Sequence, residues 1–194
     1  MNAFENIANI IRNRRSTKPS DMNGKKINSS HIHQLLQLAD WAPTHGLTEP
    51  WRFIVYENEA IQKFCFDHAE LYKANTSTDK FTEAKYEKLL HTGDTVSHII
   101  LVYMKRSGGN SIPAAEEFAA VAASIQNILL GAASLDIAVL WSTGGMTYHP
   151  SMKNYMGLAV DDTLLGLLYM GYTDEPLKEG KRNIRLEDKV VWRS

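Results

Sequence analysis

Apolar residues along the 194-residue chain recur first at helical and then at strand-like intervals. Residues 4–14 carry an apolar side chain every three or four positions, which predicts a short first helix. A second helix is predicted within HIHQLLQLADWA, residues 31–42, with Ser29 and Ser30 as candidate N-caps and Pro43 as its end. Two helices are therefore predicted before the first strand-like stretch.

Four later stretches read as strands because they are short and strongly apolar. They are RFIVYEN at 52–58, SHIILVYMK at 97–105, AVLWST at 138–143 and DTLLGLLYMGY at 162–172. The continuous apolar run of the second stretch is typical of a strand that is buried on both faces. A short helix is predicted within HPSMKNYMGL, residues 149–158. Because strands and helices alternate, the pattern leaves the α/β and α+β classes open.

The stretch 114–135 is rich in alanine and has almost no charge after Glu117. A helix without a polar face is predicted to be buried nearly all round, at the centre of the domain or against a second copy of the chain. The chain ends near the apolar Val190, Val191 and Trp192, which favour contact with a neighbouring subunit. The polar interval 73–88 is expected to be peripheral and is a candidate cover for a pocket.

Composition narrows the class of protein. Apolar residues make up 44% and charged residues 22%, as in a folded soluble protein, and the length suits a single domain over residues 1–194. With 21 basic and 22 acidic side chains, no global positive field favours nucleic acid. Cys65 stands alone, which excludes an internal disulfide and favours simple packing. No apolar run reaches membrane-spanning length, so we expect a cytoplasmic protein without membrane contact.

The first candidate site is the triplet Arg14, Arg15 and Ser16, which follows the first helix. Two forked guanidinium groups and a hydroxyl suit a phosphate group. The alternative is a solvated basic end of a helix, where cations complement the helix dipole. The triplet alone does not decide between these alternatives.

The second candidate is the loop WAPTHGLTEPWRF, in which His45 and Glu49 stand between Pro43 and Pro50. The prolines stiffen the loop, and an imidazole can exchange a hydrogen bond near neutral pH or lie against a planar ligand. The alternative is a surface turn whose polar residues face water. The histidines of the chain show no metal-ligand spacing, so no metal is expected.

The third candidate is Thr143, Gly144 and Gly145 after the predicted third strand, followed by Lys153. Glycines at the end of a strand let the backbone approach a flat ring and expose N–H donors, although paired glycines are also ordinary turn residues. Lys153 offers a cation for an anion, or is a plain surface lysine. The chain has no GxGxxG, P-loop or nucleophile-elbow motif, which removes the commonest nucleotide-binding and hydrolase interpretations.

Taken in order, these segments resemble the FMN-dependent nitroreductases over nearly the whole chain. The resemblance rests on RRSTK, WAPTHGLTEPWRFIVY, the helix with SIQNILLGAASL, WSTGG and DDTLLGLLYMGY. It is greatest with the short bacterial subgroup that carries an RRS triplet and an AP-x-H-x-x-x-Q-PW segment. Two positions depart from the family pattern: Glu49 replaces a glutamine, and Lys153 stands where arginine is common.

The resemblance implies an α+β, three-layer fold with a central mixed, mainly antiparallel sheet between helices, in an interlocked homodimer. It also implies one FMN in each of two pockets built from both subunits. The FMN-binding residues that it implies are Arg14, Arg15, Ser16 and Lys153 for the phosphate and flavin, His45 and Glu49 from the partner subunit, and Thr143, Gly144 and Gly145 along the ring. Lys18 matches a flavin-contacting lysine of larger relatives only and is left out of this set.

The implied activity is that of an oxidoreductase that uses NADH or NADPH to reduce a small electron-poor acceptor, such as a nitroaromatic compound or a quinone. The chemistry would take place at flavin N5 in a ping-pong cycle, without a catalytic acid or base from the protein. A carboxylate at Glu49 would oppose the negative charge of the reduced flavin unless it is protonated or paired with an arginine. Two alternatives stay open: a flavin-binding or redox-sensing module with little turnover, and a cofactor-free dimeric interaction protein.

Overall fold

The computed structural model describes residues 2–106, 111–176 and 178–193. Its centre is one four-stranded antiparallel sheet in the order β1-β2-β4-β3. The strands are β1 (Trp51–Glu57), β2 (His98–Met104), β3 (Ala138–Ser142) and β4 (Thr163–Gly171). All four lie within a residue of the predicted stretches. One isolated parallel bridge joins Ser16 to Val139 at the free edge of β3.

Six α-helices surround the sheet in the part of the chain that the structure describes. They are α1 (Ala3–Asn13), α2 (Ser29–Asp40), α3 (Glu59–Ala74), α4 (Glu83–His91), α5 (Ala114–Ser134) and α6 (Pro150–Tyr155). The predicted N-caps of α2 are wrong, because Asn28 accepts a hydrogen bond from the backbone N–H of Ser30 and so caps the helix one residue earlier. Ser29 and Ser30 are the first two residues of the helix.

The sheet separates two apolar cores, which makes three layers. On one face α2 and α5 pack against Ile100 and Val102, and on the other face α3 packs against Ile99 and Leu101. Because side chains alternate between the two faces of a strand, β2 needs apolar residues at both its odd-numbered and its even-numbered positions to pack into both cores. The predicted α+β class and the three-layer arrangement are confirmed, with purely antiparallel pairing between the four strands.

Helix α5 is buried on one side only. Its buried residues line the first core from Ala120 to Ala132, whereas Phe118 is 41% exposed. The prediction of burial nearly all round is wrong for a single chain, because no described element covers the outer side of its first two turns. The length and hydropathy of α5 would suit a membrane span, but half of the apolar stretch is buried inside the fold, as in a core helix.

A charged contact ties the start of α5 to the end of β2. The Arg106 guanidinium donates a hydrogen bond to the carboxylate of Glu117 and another to the carbonyl of Ile112, at 3.2 Å. The Glu117 side chain is completely buried, and that of Arg106 is 22% exposed. This ion pair fixes the beginning of α5 against the sheet.

The polar interval 73–88 contains a loop and the first part of α4, and it is attached to α3. The Tyr72 hydroxyl donates to the carbonyl of Lys80 at 3.2 Å and accepts from the N–H of Thr82 at 3.0 Å. The Tyr72 ring also stacks on Phe81, with 5.4 Å between ring centroids. These contacts hold the loop before α4 against the end of α3.

Candidate functional site

A cavity of about 560 Å³ lies between α4, the turn after β3 and the segment that follows the RRS triplet. Leu140 and Tyr169 form part of its wall, and Leu89 of α4 faces the same space. The remaining lining residues are polar or basic side chains, two glycines and one proline: Lys18, Pro19, Ser20, Lys85, Lys88, His91, Thr92, Thr95, Ser142, Gly144 and Gly145. Its size is that of a small-molecule or cofactor site.

The cavity is positively charged. Lys18, Lys85 and Lys88 line it, and no Asp or Glu occurs among the described lining residues. His91 also lines the cavity; its hydrogen bond to Asp94, with the nearby charges of Asp94 and Glu87, raises the pKa of the imidazole, and the same two carboxylates offset its charge. A basic rim around an apolar wall favours a planar ligand that carries negative charge.

The glycine turn 142–146 borders the cavity. Gly145 has a φ of +66°, in the left-handed region that glycine tolerates best. A Cβ there would also lie 2.4 Å from Nε2 of His68. Within the part of the chain that the structure describes, the Gly145 N–H has no protein acceptor. The predicted Gly144 and Gly145 therefore lie at the cavity and leave a backbone donor there.

His68 of α3 supports this turn from below. Its side chain is buried, and Nε2 accepts a hydrogen bond of 2.9 Å from the N–H of Met146. Burial first, and then the charge of Lys85, lower the pKa of His68 to about 4. The imidazole is therefore neutral at physiological pH, with its proton on Nδ1.

The RRS triplet runs along the free edge of β3. Ser16 makes the isolated bridge to Val139, and the N–H of Thr17 donates to the Val139 carbonyl at 3.1 Å. Arg14 and Arg15 line a second cavity of about 330 Å³ on the α1 and α5 side. The triplet thus separates two cavities, and Lys18 reaches the larger one.

The Arg15 guanidinium is occupied by backbone carbonyls. Nη1 donates to the carbonyls of Arg12 and Arg14, both at 2.7 Å, and Nε donates to that of Lys178 at 2.9 Å. Arg15 therefore holds the C-terminal segment against the end of α1. Arg14 makes no such side-chain contact among the described residues, so its guanidinium is the more available of the two.

His45 and Glu49 lie on an exposed, strained loop between α2 and β1. Leu47 and Glu49 have φ values of +52° and +41°, which non-glycine residues rarely adopt. His45 Nδ1 is 2.6 Å from a carboxylate oxygen of Glu116, at the start of α5. Glu49 borders a separate groove next to Arg52. Neither His45 nor Glu49 lines the larger cavity of their own chain.

Lys153 holds a loop of its own chain. Its ammonium group donates to the carbonyl of Val160 and, at 2.7 Å, to that of Asp162. These bonds close the connection between α6 and β4. Lys153 and Thr143 are absent from the lining of the larger cavity.

Sequence reasoning missed several residues of the cavity. Lys18 stands in RRSTK and was detectable, and Lys85 and Lys88 lie three residues apart, a spacing that places them on one side of α4. No sequence signal separates His68 from an ordinary core histidine. The thiol of Cys65 is buried, which raises its pKa to about 12 and agrees with the packing interpretation.

Several known proteins with a similar sequence are described as NAD(P)H nitroreductases. The Nitroreductase family model matches residues 11–172. "Putative NAD(P)H nitroreductase YfhC" of Bacillus subtilis (strain 168) is 28% identical over 176 residues, 91% of this chain and 89% of that protein.

Solved structures show the same fold. A nitroreductase-like family protein from Bacillus cereus superposes with a TM-score of 0.81 at 28% identity, over 100% of this chain and 98% of that one. FMN-dependent nitroreductase NfnB from Mycobacterium smegmatis, in complex with NADPH, gives 0.72 at 14% identity, over 98% and 100%. The predicted nitroreductase-like fold is thereby confirmed, and the family match covers most of the chain: this protein belongs to the nitroreductase family.

Proposed function

We propose that this protein is an FMN-dependent oxidoreductase that uses NADH or NADPH to reduce a small electron-poor acceptor, such as a nitroaromatic compound or a quinone. It acts as a homodimer in which each FMN site takes residues from both subunits. The family membership and the NAD(P)H nitroreductase relatives support this proposal.

One observation carries the assignment: the cavity beside β3 combines a basic rim, an apolar wall and a backbone N–H, that of Gly145, without an acceptor among the described residues. FMN has the matching chemistry, a planar ring with carbonyl acceptors and a phosphate group. Lys18 and Gly145 line the same cavity, so a ring against Leu140 and Tyr169 would lie near both of them. The described residues thus fit the cofactor.

In this proposal, different residues of the chain bind different parts of FMN. Arg14, which lines the neighbouring second cavity, and Ser16, at the edge of β3 between the two cavities, hold the phosphate beyond the rim of the larger cavity, while Arg15 acts indirectly by fixing the C-terminal segment. Lys18 supplies positive charge near the ring. His45 and Glu49 come from the partner subunit, which explains why a strained and exposed loop presents them away from their own cavity.

Thr143, Gly144 and Gly145 place the backbone along the ring, and Lys153 adds positive charge or keeps the neighbouring loop closed. When bound, FMN supplies the redox chemistry, accepting a hydride from NADH or NADPH and passing the electrons to the acceptor. The protein binds, orients and sets the charge around the ring, and no side chain is assigned as an acid or base.

The test is the visible spectrum of the purified protein, recorded before and after addition of NADH or NADPH without oxygen. Flavin bands that bleach are expected for the oxidoreductase. Bands that persist with both nucleotides would instead support a flavin-binding or redox-sensing module. A colourless protein that also fails to take up added FMN would refute the proposal and favour the interaction protein.

A further inference from the structure

Helix α3 brings one polar group beneath the glycine turn. His68 lies among aromatic side chains of the second core, with 5.7 Å between its ring centroid and that of Phe64. Its own side chain is buried, and Nε2 points to the N–H of Met146 at 2.9 Å. A buried acceptor that meets a buried donor at this distance makes a specific contact between two elements that are distant in sequence.

The turn is attached to the body of the protein by the Met146 side chain, which is buried in the second core, but its other hydrogen bonds are local. Among the described residues, Gly144 exchanges hydrogen bonds with near neighbours, Ser142 at 3.3 Å and Thr147 at 2.6 Å. These bonds fix the curvature of the turn but not its height above α3. The bond from Met146 to His68 supplies that second constraint.

The close steric contact between the turn and His68 also indicates that His68 sets the height of the turn above α3. A Cβ on Gly145 would lie 2.4 Å from Nε2 and 2.8 Å from Cε1 of the imidazole. The turn therefore rests directly on the ring of His68. A smaller side chain at this position would let the turn sink, and an apolar one would leave the Met146 N–H without its acceptor.

From this arrangement we infer that His68 is a positioning residue for cofactor binding, which sets the height and direction of the glycine turn that faces the cavity. The inference rests on the proposed function, since the turn is taken to contact FMN. His68 touches neither the cofactor nor a substrate in this scheme and acts through Met146 and Gly145. The low pKa of the imidazole agrees with this role, because only the neutral ring accepts a hydrogen bond at Nε2.

Two substitutions at His68 distinguish the effect of losing the hydrogen-bond acceptor from the effect of changing the side-chain volume. His68→Gln keeps an acceptor close to the position of Nε2, whereas His68→Leu fills space without one. Phe64→Leu, one turn earlier on α3, is the matched control, since it perturbs the same core without removing a hydrogen bond to the turn.

The first measurement is hydrogen exchange of the Met146 amide in each variant. His68→Leu should speed local exchange by about tenfold, the factor expected when one ordinary hydrogen bond is lost. His68→Gln should keep exchange within about threefold of the parent protein, since an acceptor is retained. Phe64→Leu should leave local exchange of this amide unchanged, even where it lowers the melting temperature.

The second measurement is FMN release on dilution of the purified protein, followed by the rise of free flavin fluorescence. His68→Leu should raise the dissociation constant by about tenfold, and His68→Gln should restore it to within about threefold. Equal release from His68→Leu and the parent protein, or equal losses in His68→Leu and Phe64→Leu, would overturn the inference. If the parent protein binds no FMN, the proposed function fails, and the exchange data alone decide whether His68 positions the turn.

Discussion

Replacing Arg106 by methionine tests how strongly the start of α5 depends on its ion pair. The substitution keeps an apolar stem but removes the positive charge beside the Glu117 carboxylate, whose side chain is fully buried. Removing one member of a buried ion pair destabilises a protein by about 3–5 kcal/mol. Because Arg106 is 22% exposed, we expect the lower end, about 3 kcal/mol.

The assay is thermal unfolding at one protein concentration and matched flavin content, because dimerisation and ligand binding shift the apparent stability. For a chain of this length 1 kcal/mol corresponds to about 2–4 °C, so Arg106→Met should lower the melting temperature by about 6–12 °C. The double variant Arg106→Met/Glu117→Met should recover most of this loss, since both charges are gone.

Glu116→Gln is the control because it removes a charge one residue away. Its partner is His45, and the two side chains are 48% and 63% exposed, so the exposed pair contributes less than about 1 kcal/mol. The reasoning would be refuted if Arg106→Met lowered the melting temperature by no more than Glu116→Gln does. A double variant no more stable than Arg106→Met would refute it as well.

Four further predictions concern the site. The pKa of His68 in the folded protein, about 4, lies below its ordinary value of 6.5, so the unfolded chain takes up a proton at a higher pH than the folded protein does. The free energy of unfolding should therefore fall by roughly 3 kcal/mol as the pH drops from 6.5 to 4. In urea unfolding, the His68→Gln variant should lack this part of the pH dependence. Arg14→Ala should weaken FMN retention and slow flavin reduction in stopped-flow measurements; a purified variant that stays yellow and turns over normally would exclude the role. Arg15→Ala should instead expose the C-terminal segment to limited proteolysis. Glu49→Gln should raise the FMN reduction potential, by on the order of 30 mV if the carboxylate contributes about 1.4 kcal/mol; an unchanged potential in spectroelectrochemical titration would place Glu49 away from the ring.

Sequence reasoning succeeded where the determinants are local. The run 98–104 reads as a buried strand because residues of both parities are apolar, and each parity faces one of the two cores. The glycine turn was equally readable, because Gly145 needs its left-handed φ for reasons within four residues of chain. The cap of α2 was misplaced by one residue, since Asn28, Ser29 and Ser30 are all good caps and only backbone geometry chooses between them.

The missed part of the site depends on contacts that are distant in sequence. His68 meets Met146 across 78 residues, and no periodicity in α3 distinguishes it from a packed aromatic residue. Lys85 belongs to the polar interval that was expected to be peripheral and a candidate cover for a pocket, and its helix forms one side of the cavity, but composition alone did not indicate which of its residues line it. The exposure of the outer side of α5 depends on what the chain packs against, which hydrophobicity alone does not specify.

The order of the strands has a consequence for how the chain folds during synthesis. β2 lies between β1 and β4, and its partner β4 leaves the ribosome roughly 60 residues after it, a delay of about 3–12 s at ordinary translation rates. For that time one edge of the most apolar strand has no partner in the sheet. Such an edge is a template for aggregation. Nascent chains should therefore need a chaperone most when synthesis is slow and the temperature is high.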